Sequence, residues 1–171
     1  MKKIVLTGGP NVGKTALVEV LAKRFYIVSP EAARLIIDEE RPKKSDVLPW
    51  KDVAKFQEVV AKRQLELEAK AKGDLMFFDR GVVDGAAYCK VSNIPVPQII
   101  LDNARGRYDK VFFLEPFPIQ AEEKTRSRIP DETAKIHQAV REIYIEFGYE
   151  PIVVPALPPE KRVDYILNLL K

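Results

Sequence analysis

Residues 8–15 read Gly8-Gly9-Pro10-Asn11-Val12-Gly13-Lys14-Thr15, a G-x-x-x-x-G-K-[ST] string between an apolar run and a helical pattern. Small residues let the main chain wrap closely around linked phosphates, so that consecutive N–H groups face their oxygens. The helix that follows adds unpaired N–H groups and the positive end of its dipole. In this spacing Lys14 reaches the β- and γ-phosphates, and the Thr15 hydroxyl is placed to ligate Mg²⁺. The stretch from Gly8 through Ala16 therefore predicts a site for ATP or GTP with Mg²⁺. It does not say what happens to the nucleotide.

Working outward, strand and helix patterns alternate, which predicts an α/β fold. Lys3 to Thr7 is a short β-branched run feeding the loop, and Lys14 to Arg24 has helical spacing with Leu17, Val18, Leu21 and Phe25 on one side. Tyr26 to Val28 reads as a second strand and Glu31 to Glu40 as a helix with Ala32, Leu35 and Ile36 inward. The polar, proline-bounded stretch from Arg41 to Pro49 is expected to be a mobile loop. A long helix is predicted over Trp50 to Lys72, with Val53, Phe56, Val60 and Leu67 as its stripe. Leu75 to Phe78 is a strand as apolar as a central parallel strand should be, Lys110 to Leu114 is another buried strand, and Pro151 to Val154 is the last. Helices are expected over Val82 to Lys90, Pro97 to Ala104, Asp131 to about Phe147, and Glu160 to Leu170.

The 171 residues fit one domain spanning the whole chain, and 46% hydrophobic content suffices for a sizeable core. A single cysteine, Cys89, provides no internal disulfide and suits a reducing compartment. The four-residue apolar run at the N-terminus is too short for a signal peptide, and nothing approaches a membrane span, so a cytoplasmic location is expected. Net charge is +3, but basic and acidic residues are interspersed, which argues against nucleic acid and agrees with phosphate ligands. A homodimer or a protein partner is left open. One histidine and one distant cysteine provide no zinc site; His137 is expected to serve packing or the surface.

The second acidic position narrows the function. Leu75-Met76-Phe77-Phe78-Asp79 is an apolar strand ending in a carboxylate, placed to hold Mg²⁺ directly or through water. Arg80 follows, where motor-type ATPases carry a water-activating Glu, and no Asn-Lys-x-Asp guanine-reading motif is present. Both features tilt the reading toward kinases. The predicted fold is a three-layer P-loop NTPase fold with a mainly parallel five-stranded sheet flanked by helices.

GGPNVGKT, SPEAARLI, FFDRGVVDGAAY, KVFFLEP and GYEPIVVP…RVDYIL together resemble a group of small P-loop ATPase/kinase-like proteins. That group is similar to the ribosylnicotinamide kinase domain of the bacterial NAD-biosynthesis regulator and, more distantly, to thymidylate and deoxynucleoside kinases. The resemblance runs from Lys3 to Leu170. It implies that Asp79 and Arg80 form the acid–arginine pair beside the phosphoryl-transfer site. It also implies that Glu31 is the base for an acceptor hydroxyl. Independently, Glu31 follows a strand and so lies at the same sheet edge as the loop, although a first-turn acid favoured by the helix dipole reads the same way.

The acceptor side is less sharply drawn. Arg34 either contacts an acceptor phosphate or faces solvent. Gln57 and Gln64 share one helix face beside Arg63, which suits hydrogen bonding to a base or sugar, or the polar flank of a surface helix. Asp84 is an acceptor or Mg²⁺ partner, or an ordinary helix-start acid. Arg126 and Arg128 lie in a charge-dense stretch, read either as a lid over about 118–131 that neutralises the moving phosphoryl or as a solvated face. The leading expectation is a kinase acting on a small nucleoside-like or other hydroxylated acceptor. The alternative is a nucleotide-dependent switch or slow ATPase/GTPase acting through a protein partner.

Overall fold

A computed structural model describes residues 1–117 and 130–171, the side chains of Pro130 and Asp131 excepted. Its elements run β1 (Lys2–Thr7), α1 (Lys14–Lys23), β2 (Ile27–Ser29), α2 (Ala32–Glu40), α3 (Val53–Ala69) and β3 (Leu75–Asp79). They continue with α4 (Asp84–Val91), α5 (Gln98–Asn103), β4 (Lys110–Leu114), α6 (Pro130–Glu146), β5 (Ile152–Val154) and α7 (Pro159–Asn168). The five strands form one parallel sheet in the order β2-β3-β1-β4-β5.

Strand alternation sends neighbouring side chains to opposite faces and so builds two cores. Ile4, Leu6, Phe77 and Phe112 pack under α1 and α7 with Leu17, Leu21, Val163 and Ile166. Val5, Phe78 and Phe113 pack on the other face against Ala86, Ile100, Val140 and Tyr144. The result is a three-layer sandwich whose three central strands, β3, β1 and β4, are buried on both faces and have the near-continuous apolar runs that parallel sheets require. Because β1 lies between β3 and β4, the order of strands reverses at its C-terminal end, where such sheets open a crevice. Among the described residues, no helix is long and apolar enough to cross a membrane.

Two expected stripes are corrected. Phe25 is not part of the α1 face: the helix stops at Lys23, Phe25 takes a φ of 65°, and its side chain is 96% exposed. On α3 the buried face is Phe56, Gln57, Ala61, Gln64 and Glu68, whereas Val53, Val60 and Leu67 are half-buried. The helix is rotated toward its polar residues because buried charges and carbonyls beneath it need hydrogen-bond partners. The loop from Arg41 to Pro49 is anchored by Leu48, which is buried.

Candidate active site

β1 delivers the chain to the loop at Thr7, and α1 receives it at Gly13, a left-handed N-cap with φ 86° and no side-chain cap. A side chain at Gly13 would be strained there and would press on Phe117 and Arg162. The first turn of α1 carries no acid, and the N–H groups of Gly13, Lys14 and Thr15 donate to no described acceptor. The loop therefore ends in the unpaired donors that an anion needs. Pro10 and Asn11 form the outer bend, with Asn11 at φ 59°, while Val12 is buried beneath it. Thr15 is exposed and Ala16 half-buried. Lys14 folds back so that Nζ donates to Gly9 O at 2.7 Å and to Gly8 O at 3.4 Å. Burial, and then the Arg80 charge, lower its pKa to about 8, against the pull of Asp79, Asp84 and Glu31.

Asp79 ends β3 beside Leu6 and is almost fully buried, and among the described residues its Oδ1 has no hydrogen-bond partner. Burial and the neighbouring Glu31 raise its pKa to about 6. Arg80 takes a φ of 70°, an uncommon conformation for a non-glycine residue. Three contacts hold the main chain there. Gln64 Nε2 donates to Arg80 O at 3.3 Å, Gly81 N–H to Asp84 Oδ2 at 3.0 Å, and Val82 N–H to the Tyr108 hydroxyl at 2.7 Å. The guanidinium thereby reaches across the crevice. It donates to Glu31 Oε1 at 2.8 Å, Asp84 Oδ1 at 3.0 Å and Gly8 O at 3.0 Å, and lies over the Tyr88 ring. Burial opposes its charge, but Tyr88, Asp84 and Glu31 hold it firmly protonated.

Glu31 precedes α2 as its N-cap residue, yet its side chain makes no cap. The carboxylate is spent on Arg80 instead of on the helix end. Asp84 is a structural hub: besides Arg80 and Gly81 it accepts the hydroxyls of Thr7 at 2.6 Å and Tyr144 at 2.7 Å. With both oxygens doubly committed, it has no lone pair to spare for a ligand, which corrects the acceptor-binding expectation.

A cavity of about 200 Å³ opens beside Arg80, under α2 and α3. Ala33, Ile37, Phe56, Val60 and Tyr88 give it apolar walls, and Glu31 and Gln57 supply polar atoms. Gln57 is almost fully buried, and no hydrogen bond to its amide is made by the described residues. Gln64 also lines the cavity, but its amide is engaged with Arg80 O and with Glu68 Oε1 at 3.3 Å. It braces Arg80 rather than offering itself to a ligand. Glu68 is in turn buried among Arg107, Tyr108 and Lys3. Arg63 is corrected outright: it makes a two-pronged pair with Glu39 on the outer surface, at 2.7 and 2.8 Å, away from the cavity. Arg34 is exposed and does not line the cavity. Arg126, Arg128 and the stretch 118–129 lie outside the described residues.

Two residues at the loop escaped the sequence reading. Arg162 on α7 is 1% exposed and donates to Val12 O at 2.6 Å, Glu115 O at 2.6 Å and Pro155 O at 2.9 Å. It ties the loop to the ends of β4 and β5. Its signal was a charge on an apolar stripe, four residues before the buried Ile166. His137 on α6 accepts the Gly9 N–H through Nδ1 at 3.0 Å and stacks on Phe113. Its spacing from the buried Val140 and Tyr144 pointed inward.

This geometry has parallels among known proteins. No curated protein matches the sequence. The NadR protein in complex with NR is similar at a TM-score of 0.68 and 18% identity, over 98% of this chain and 49% of that one. The chain thus spans about half the length of that protein. Deoxyadenosine kinase from M. mycoides with bound dATP is similar at 0.60 and 20% identity, over 98% of each chain. Shikimate kinase from Aquifex aeolicus is similar at 0.59 and 20% identity, over 98% of this chain and 95% of that one. At such identities the likeness is one of fold, the three-layer α/β P-loop fold. Residues 3–162 match AAA_28, an AAA domain family, and the chain belongs to that family.

Proposed function

We propose that this protein is a Mg²⁺-dependent small-molecule kinase that moves the γ-phosphoryl group of ATP or GTP to a hydroxyl of an acceptor without a phosphate of its own. One observation carries the reading: Arg80 joins the two half-sites, bonding Gly8 O of the loop on one side and Glu31 of the cavity on the other. The similar structures include proteins named as kinases, one with bound dATP, which supports the same direction.

The donor would lie on the free N–H groups of Gly13 to Thr15 with Lys14 on its outer phosphates. The Thr15 hydroxyl and the Asp79 carboxylate fit Mg²⁺: they are hard oxygen donors, and Asp79 Oδ1 is buried without a partner among the described residues. When bound, the ion neutralises charge on phosphate oxygens. The acceptor would fill the cavity, its flat or apolar part against Phe56 and Tyr88 and a polar edge on Gln57. Its hydroxyl oxygen attacks the γ-phosphorus as the bond to the β–γ bridging oxygen breaks. The hydroxyl proton passes to Glu31, whose Oε1 is held by Arg80. Such transfer depends on positioning and charge, which a preset arginine supplies.

The charges of the cavity define the acceptor class. Among the described residues its charged groups are Glu31, Asp84 and Arg80, and the arginine is already paired with both acids. No described cation is left for an acceptor phosphate, which favours an uncharged or cationic nucleoside-like compound over a nucleotide. The test is incubation with Mg²⁺, labelled ATP or GTP and a panel of nucleosides, nucleotides and other hydroxylated compounds. Label should appear on a nucleoside-like acceptor and vanish with Lys14→Ala; triphosphate loss that no acceptor accelerates would refute the kinase. Membership of an AAA domain family favours the second reading, a slow nucleotide-driven switch, which acceptor-independent hydrolysis would support.

A further inference from the structure

His137 plays no part in the transfer just described, yet from α6 it hydrogen-bonds the phosphate loop directly. Its Nδ1 accepts the Gly9 N–H at 3.0 Å, and a Cβ added to Gly9 would come within 2.8 Å of the His137 Cβ. The ring lies on Phe113, 4.4 Å between centroids, so its orientation is set by packing. At the other end of the same peptide group, Gly8 O accepts Arg80 Nη1 at 3.0 Å and Lys14 Nζ at 3.4 Å. A peptide group is planar, so holding both its N–H and its C=O fixes its tilt. The following carbonyl, Gly9 O, receives Lys14 Nζ at 2.7 Å, and Pro10 has no N–H of its own. Gly9 therefore carries the last amide through which this arm of the loop can be held before the Asn11 bend.

We propose that neutral His137 is a positioning residue for the triphosphate site: by accepting the Gly9 N–H opposite Arg80 it presets the entry of the loop and the placement of Lys14. Only imidazole with Nδ1 unprotonated can accept, so the proton sits on Nε2, which faces Glu115 Oε2 at 4.0 Å. Protonation turns the acceptor into a donor facing a donor and opens the latch. The charged groups around the ring are Glu115 after β4, Lys14 of α1 and Arg141 of α6 itself. Burial leads in lowering the His137 pKa from 6.5, Glu115 opposes it, and the two cations assist. The latch is thus closed at neutral pH and opens on acidification. This inference rests on reading Gly8–Thr15 as a triphosphate cradle.

The experiment is titration calorimetry of Mg·ATP against the full chain, His137→Ala and His137→Asn, from pH 7.5 to 5.5. The Asn Oδ1 occupies the place of Nδ1 and accepts at every pH. At pH 7.5, H137A should bind about fivefold to tenfold more weakly than wild type, and H137N within about twofold of it. ATP and Asp79 titrate in all three proteins, so the decisive quantity is the difference between profiles. Wild type should lose affinity relative to H137N as the pH falls through the lowered His137 pKa, the gap growing toward that between H137A and wild type. Equal affinity of H137A and wild type at pH 7.5, or parallel profiles for wild type and H137N, would overturn the latch while leaving the cradle intact. A wild-type chain that binds no triphosphate would overturn both.

Discussion

Arg80 and Glu31 meet across the crevice with Nε and Oε1 2.8 Å apart, although 49 residues separate them in the chain. The pairing fixes the orientation of the carboxylate at the cavity edge, as a proton acceptor requires. Glu31→Gln preserves an oxygen for Arg80 but removes the base. It should lower kcat by about 10²–10⁴ while the KM for ATP stays within about twofold. Steady-state kinetics with a working acceptor checks this, and an unchanged kcat would take the base role from Glu31.

Lys14 is buried with its charge turned onto two loop carbonyls. Its folded pKa of about 8 lies below the ordinary 10.5, so the charged form costs folding free energy at neutral pH, a cost relieved as pH rises from about 8 toward 10.5. Lys14→Ala should therefore melt no earlier than wild type at pH 7 without nucleotide, while Mg·ATP binding weakens on the order of a hundredfold. Calorimetric melting paired with a binding titration separates the two effects.

Asp79 carries the opposite sign of charge and the same tension. Its pKa is raised from 3.8 to about 6, so protonation favours the folded chain below about pH 4, and that contribution is lost as pH climbs through about 6. Asp79→Asn removes the buried ionised group. The nucleotide-free variant should gain on the order of 1 kcal/mol at pH 8 and none at pH 4, and lose Mg²⁺-dependent turnover. Denaturant melts at the two pH values are the measurement; a variant that is less stable at pH 8 would show that the orphaned oxygen imposes no strain.

Arg162 is buried with three main-chain carbonyls and, among the described residues, no carboxylate partner. Burial leads in lowering its pKa, and Glu115 opposes that shift. Arg162→Met keeps much of the volume but leaves Val12 O and Glu115 O without a described donor, Pro155 O retaining the Leu157 N–H, which should cost about 2 kcal/mol. Because Val12 O belongs to the loop, triphosphate affinity should fall as well. Urea unfolding, with ATP binding measured separately in the absence of denaturant, tests both parts.

Much of the fold was legible before any coordinates. The five apolar runs became the five strands within a residue or two; the three central ones were clearest because they are buried on both faces. The phosphate loop was legible because its chemistry is local: eight consecutive residues carry their own glycines, lysine and hydroxyl. The two misread stripes have separate causes. Phe25 lies past a helix end that only the chain reversal at φ 65° fixes. The polar face of α3 is buried because Arg80, Tyr108 and Arg107, all distant in sequence, need its amides and its carboxylate.

The sequence by itself determined the sheet, the loop and the two acids at strand ends, since short-range periodicity and spacing encode them. Tertiary structure alone decided that Asp84 and Gln64 serve as braces, that Arg63 belongs to the surface, and that His137 and Arg162 hold the loop. The physical reason is that a polar side chain's role is set by which donors and acceptors surround it once water is excluded. Those neighbours are brought together by the crossing of strands and helices, not by adjacency along the chain.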